Sequence, residues 1–150
     1  MPQTIPIPAI VPVVIAVPFY AAYIADEAIA IGDTLALVAT TGRVVKANAS
    51  LASGRERVMG VAVTSAGGAG FAVDVAAPGD LVSVRTSSAL AAVNNGLPLY
   101  QDTVSGSTSL TPPWATGDTM TVIVAVLQGA DGVTLLPMAT LQLIFQEVNP

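Results

Sequence analysis

The sequence predicts an all-β protein, a small β-barrel or sandwich with an extended proline-rich N-terminal arm. Three observations carry that expectation. Short runs rich in Val, Ile, Leu and Thr recur through the body, some alternating and some continuously apolar, as half-buried and fully buried strands do. Turn signals such as Gly32-Asp33, Thr41-Gly42, Pro78-Gly79-Asp80 and Asp131-Gly132 punctuate these runs, with the close spacing found in sandwiches and barrels. The first 25 residues carry no charge and are broken by prolines.

That first segment, MPQTIPIPAIVPVVIAVPFYAAYIA, is long and apolar enough to raise the question of a membrane helix or a secretory leader. Pro6, Pro8, Pro12 and Pro18 argue against the helix, because proline in a helix interior costs about 3 kcal/mol. A leader opens with positive charge, and the first basic residue here is Arg43. Prolines so placed impose an extended path near polyproline II, in which roughly 18 residues reach about 50 Å. Disordered tails are polar, and this one is apolar, so residues 1–25 are expected to form an arm lying on an apolar partner surface. The residues expected to make that contact, with a partner protein or with a neighbouring subunit, are Ile5, Ile7, Ile10, Val11, Val13, Val14, Ile15, Phe19 and Tyr20. Val13–Val17 lacks proline and is where strand addition to a sheet edge fits.

The body is expected to run from 26 to 150 as one domain, with Asp26 and Glu27 marking its start. Strands are predicted over Thr34–Ala39, Arg43–Ala47 and Val58–Thr64, with Ala49–Arg57 as an exposed loop in which Arg55, Glu56 and Arg57 are solvated. Phe71, Val73 and Val75 share one face of the next strand and Asp74 takes the other. Leu81–Arg85 alternates again. Ser88–Val93 has a capping serine and helix-favouring alanines and predicts a short helix. Pro98–Gln101, Met120–Gln128, Val133–Leu136 and Leu141–Gln146 supply the remaining strands, and Asp102–Thr111 a hairpin region. Met120–Gln128 is apolar enough to be buried on both faces. Trp114, the only tryptophan, is expected to pack beneath the corner made by Pro112 and Pro113.

A weak internal repeat runs through this order. Roughly 64 residues after Gly32-Asp33-Thr34-Leu35-Ala36 stands Asn95-Gly96-Leu97-Pro98-Leu99-Tyr100, and Val122–Leu127 stands for Met59–Val63.

Charge and chemistry are sparse. Only 10% of the 150 residues are charged and 53% are hydrophobic, against about 25% charged in an ordinary soluble domain. Too few charges remain to cover a solitary molecule, so much of the surface is expected to be covered by other subunits. The five basic residues (Arg43, Lys46, Arg55, Arg57, Arg85) all lie in the middle of a chain of net charge −5, with only acids after Arg85, too few cations to suit nucleic acid. There is no histidine and no cysteine, which removes the commonest general base, the commonest metal ligand and the thiolate nucleophile. Lys46 has no sign of a Ser–Lys dyad, and Asp26 and Glu27, adjacent on extended chain, point apart. SAGGAG and GADG are glycine-rich, but no lysine succeeds them and no helix opens after them, so no phosphate cradle is expected. The chain is therefore expected to be no enzyme and to need no cofactor and no metal.

One resemblance gives this reading a function. GDTLALV…GRVVKANA…RVMGVAVTSAGG…FAVDVAAPGDLVSV, then GLPLYQD…GSTSLT and VIVAVLQGADG, resembles bacteriophage capsid decoration (cement) proteins over about Ile29 to Leu136. The resemblance implies a small β-tulip-like barrel body and a virion structural protein made in the host cytoplasm. It also implies a homotrimer on the outer capsid surface that binds the major capsid protein, with neither nucleic acid nor membrane as partner. The chain departs from the pattern in that its second module has lost the Gly-Asp pair, and in the apolarity of its arm. The alternative is the base or collar domain of a head fibre or tail spike serving receptor or glycan attachment.

Overall fold

The computed structural model describes residues 21–76, 81–128, 135–136, 138–140 and 144–148. Among these residues the protein is all-β. Its strands are β1 (Ala21–Ile24), β2 (Thr34–Val38), β3 (Arg43–Lys46), β4 (Val58–Ala62), β5 (Ala72–Ala76), β6 (Leu81–Ser83), β7 (Pro98–Gln101), β8 (Thr108–Ser109), β9 (Thr119–Ala125), β10 (Leu127–Gln128), β11 (Leu135–Leu136), β12 (Met138–Thr140) and β13 (Ile144–Val148). A five-stranded antiparallel sheet runs β1-β5-β4-β2-β3 and a four-stranded one β13-β9-β7-β8, with β12-β6 and β10-β11 as further pairs.

The two sheets repeat one another. Adding 64 to each residue of the β2–β4 pairs Thr34↔Val61, Leu35↔Gly60 and Ala36↔Val58 gives the β7–β9 pairs Pro98↔Ala125, Leu99↔Val124 and Tyr100↔Val122. Even the register shift recurs, between Leu35 and Ala36 in one and between Leu99 and Tyr100 in the other. The hairpin pairs Ala36↔Val45 and Leu37↔Val44 likewise become Tyr100↔Ser109 and Gln101↔Thr108. The turn before each sheet is also duplicated. Gly32 and Gly96 take φ of 87° and 85°, a region open to glycine at little cost. Gly32 donates to the carbonyl of Ala62, and Gly96 to that of Val126.

The strand leading into each module matches with an offset of 61, so that β1–β5 (Ala21↔Val75, Ala22↔Asp74) corresponds to β6–β12 (Val82↔Ala139, Ser83↔Met138). The chain after each lead strand then reaches the hairpin edge strand of its own module. Ala25 bridges Val44 in parallel in the first module, and Thr86 bridges Thr108 in the second. The edge of β3 is thereby covered: Asp26 donates its N–H to Val44 O and the Glu27 carboxylate accepts the N–H of Lys46 at 2.7 Å. Ser87 and Ser88 do the same for β8, donating to Thr108 O and accepting the N–H of Leu110 at 2.9 Å. A capped edge offers no row of free donors for unwanted pairing.

Two clusters of buried side chains arise from strand alternation. Ala25, Ile29, Leu35, Val44, Ala62, Ala66, Val73 and Val75 line one face of the five-stranded sheet. The other face (Ala36, Val45, Val58, Val61, Ala76) joins Val82, Val84, Leu99, Ile123, Val124 and Val126 of the second module in one continuous core.

The structure corrects several expectations. The body starts before Asp26: Ala21–Ile24 are already a sheet strand and Ala25 is fully buried, so 21–25 belong to the folded part. Charge marks where chain meets water, not where pairing starts. Ser88–Val93 makes no α-helix; only its last two residues enter a single 3-10 turn, Ala92–Asn94, because so short a segment gains too few helical bonds to repay its nucleation. Met120–Gln128 is two strands, β9 and β10, and β9 is not buried on both faces: Met120, Val122 and Ala125 are half-buried. Phe71 is 62% exposed, apart from Val73 and Val75 beneath the sheet. Asp131-Gly132 lies outside the described residues, as do Val133 and Leu141.

Candidate functional site: the junction between the modules

The Gly32-Asp33 turn faces the second module, and buried polar groups meet there. The Asp33 side chain is 1% exposed. Its Oδ2 accepts the N–H of Ala30 at 2.8 Å and its Oδ1 accepts Arg85 Nη1 at 2.7 Å. The Arg85 backbone N–H in turn donates to Gly32 O at 2.9 Å, so one residue grips the turn through both main chain and side chain. The Arg85 side chain remains 55% exposed, so water screens the ion pair and the buried end of it is the carboxylate.

A second set of bonds ties the strand ends. Thr34 donates to Gly106 O and Gly106 to Ala47 O, while Ala49 donates to Asp102 O. Gln101, fully buried, spreads its Nε2 over the carbonyls of Ala47, Asp102 and Ser107 at 3.0–3.1 Å. Two glycines permit the approach. A Cβ on Gly32 would stand 3.2 Å from Arg85 N and Ser83 O, and one on Gly106 would stand 2.8 Å from Asp33 Oδ1. Arg85 and Gln101 are both committed to holding the modules together. Chemically the arrangement is a lock.

The remaining sequence-marked groups are scattered around this lock. Asp26 and Glu27 do point apart, to Arg43 at 3.1 Å and to Arg55 at 2.9 Å. Arg55 is thus tied down where a solvated side chain was expected, and Glu56 is half-buried. A cleft of about 540 Å³ opens beside β2 and β3, lined by Ala36, Val38, Val45 and the Ser53–Arg57 loop. Lys46 is half-buried beside Gly106, with its backbone N–H held by Glu27. Trp114 does not pack under its proline corner; it is 69% exposed. The expected interface residues Ile5, Ile7, Ile10, Val11, Val13, Val14, Ile15, Phe19 and Tyr20 lie outside the described residues.

No family model, curated protein or solved structure matches this chain. Its role is therefore read from its own residues. Arg85 and Gln101 were missed in the sequence as junction residues, although a signal was present. Compared at the repeat offsets, Asp33 stands against Leu97, Arg85 against Ile24 and Gln101 against Leu37. A position that is polar in one module and apolar in the other marks a surface the two modules use differently.

Proposed function

We propose that the protein is a non-enzymatic virion structural protein that binds the outer surface of a phage capsid as a homotrimer and stabilises the shell. The observation that carries this reading is exposed apolar surface on a body poor in charge. Ile24, Ile31, Leu37, Phe71, Val93, Leu97, Val104 and Trp114 are all between 42% and 83% exposed, while charged residues make up 10% of the chain. With so few charges to interleave, these open apolar side chains favour a surface that other subunits cover. Modules in which the chain after the lead strand returns to the hairpin edge strand support a small barrel of the β-tulip kind, the body of the decoration proteins the sequence resembles. The arm, residues 1–20, provides the reach to a capsid subunit or a neighbouring chain.

The test is to mix purified protein with undecorated heads and measure co-sedimentation and stoichiometry. Saturable binding at a fixed number of copies per capsid subunit is expected, weakened by deletion of residues 2–17 while the far-UV β signature is kept. Absence of binding at saturating protein would sink the capsid reading. A second reading, the base or collar of a head fibre or tail spike, has one observation in its favour. The indole of Trp114 stands open to solvent, where a sugar ring could stack. Binding of a glycan by the isolated chain, lost in Trp114→Ala, would favour it.

A further inference from the structure

The junction inside the chain has two sides, and each side has a counterpart elsewhere in the molecule. The first module presents its tail there, the glycine turn with Asp33. The second presents its head, the end of the lead strand with Arg85 and the hairpin residue Gln101. Among the described residues, the repeat places a head with no module against it on the first module, at Ile24 and Leu37, and such a tail on the second, at Leu97. These three residues are 42%, 46% and 45% exposed.

We infer that copies of this chain join head to tail, the Leu97 tail of one seated on the Ile24–Leu37 head of the next. The occupant of each face is a second copy of this chain, because an equivalent contact already exists once within it: Arg85 N–H donates to Gly32 O, and Ile24 and Gly96 hold those two places on the open faces. One inner bond is not repeated, since Thr34, which donates to Gly106 O, is replaced by Pro98. The side chains fit the assignment on both sides. The pair of buried Asp33 and half-open Arg85 becomes two apolar residues, Leu97 and Ile24, and the buried amide Gln101 becomes Leu37. A matched change at facing positions preserves complementarity, whereas a polar group on one side alone would be left unpaired. The crowding pattern agrees. Gly32 and Gly106 are hemmed in at the junction, whereas nothing stands within 4 Å of a Cβ on Gly96 or Gly42, leaving room for a neighbour. Such a contact is heterologous, so it builds a ring where the rotation closes and a fibre where it does not. The inference deepens the proposed function by naming the self-association surfaces, and it rests on that reading only for the expectation that the chain oligomerises.

The experiment uses the full chain and multi-angle light scattering, with no capsid present. Leu97→Asp disables the tail and Leu37→Asp the head, and each alone is expected to weaken self-association at least about tenfold, since a carboxylate is buried without a partner. Mixed in equal amounts, the two variants should form a dimer and nothing larger, because one good head then meets one good tail. The double variant Ile24→Arg/Leu97→Asp, which recreates the Asp33–Arg85 pair between chains, should recover assembly that either single change loses. Unchanged far-UV spectra and melting midpoints certify the fold, and Leu97→Ser with Leu37→Ser replaces any aspartate variant that fails this control. A wild-type chain that stays monomeric at micromolar concentration overturns the inference and leaves capsid binding to co-sedimentation. Wild-type assembly unmoved by the single variants, or variants that still dimerise alone, overturns the head-to-tail contact while sparing oligomerisation itself.

Discussion

In the first module the glycine turn is crowded and charged; in the second its counterpart is open and apolar. Gly32 and Gly96 share a positive φ and the same backbone bonds to Ala62 and Val126. Their neighbours differ: Asp33 is buried and held by Arg85, whereas Leu97 is 45% exposed. The backbone pairing is therefore independent of the residue after the glycine, and the side chain there reports what the turn faces. A Gly-Asp turn is not required to start the sheet. Within this chain the aspartate serves to hold Arg85 of the second module.

The largest effect expected from this difference is at Asp33 itself. Asp33→Ala removes acceptors for the Ala30 N–H and for Arg85. Bonds to a charged group contribute about 1.5–3 kcal/mol each when buried, and exposure of Arg85 lowers its share, so a loss of about 2–3 kcal/mol is expected. Leu97→Ala, at the equivalent position, should cost under about 1 kcal/mol in the isolated chain. Urea unfolding of both variants measures the contrast; equal losses would mean that the two turns are energetically alike.

The hairpin glycines give the next test. Gly42 and Gly106 both have positive φ, 69° and 76°, so alanine strains either backbone by about 1–2 kcal/mol. Only at Gly106 would the added methyl group also meet the buried carboxylate, at 2.8 Å, which adds about 1–3 kcal/mol. Gly106→Ala should therefore be less stable than Gly42→Ala by about 2 kcal/mol in denaturant melts. Gly32→Ala against Gly96→Ala repeats the contrast more weakly. The contacts at Gly32 are 3.2 Å, and a difference of about 1 kcal/mol is expected.

Much of the scaffold was legible in the sequence. Strand positions come from alternation and turn residues, and the strand read at Pro98–Gln101 has the same bounds in the structure. The repeat of roughly 64 residues was visible because turn glycines and the apolar runs after them tolerate few alternatives. The junction was not legible. Asp33 and Arg85 are 52 residues apart, and a lone aspartate after glycine has the same sequence signature whether it caps a turn or holds a distant arginine. β1 was hidden for a related reason. AAYI carries neither charge nor turn signal to separate it from the apolar segment before it, and its membership in the sheet is decided by its partner, β5. Trp114 shows the limit from the other side, since burial of a large residue depends on what lies above it, and a single sequence does not contain that.

The smallest expected effect concerns the capped edges, where the two modules solve one problem with different chemistry. Lys46 N–H is accepted by the Glu27 carboxylate, which also pairs with Arg55; Leu110 N–H is accepted by the Ser88 hydroxyl, which also contacts Ser109 Oγ at 3.2 Å. Glu27→Gln keeps an oxygen in place for Lys46 and gives up only a partly exposed ion pair, so its cost should fall below about 0.5 kcal/mol. Ser88→Ala takes the acceptor away altogether and should cost about 1 kcal/mol, the net contribution of a neutral hydrogen bond. Global stability barely separates such values, but amide hydrogen exchange does, because it reads each edge by itself. The Leu110 amide should exchange faster in Ser88→Ala with the Lys46 amide unchanged, and Glu27→Gln should leave both protected. If Glu27→Gln exposes Lys46 as fully as Ser88→Ala exposes Leu110, then charge, and not the mere presence of an acceptor, holds the first edge. The two caps would then be different devices at equivalent positions.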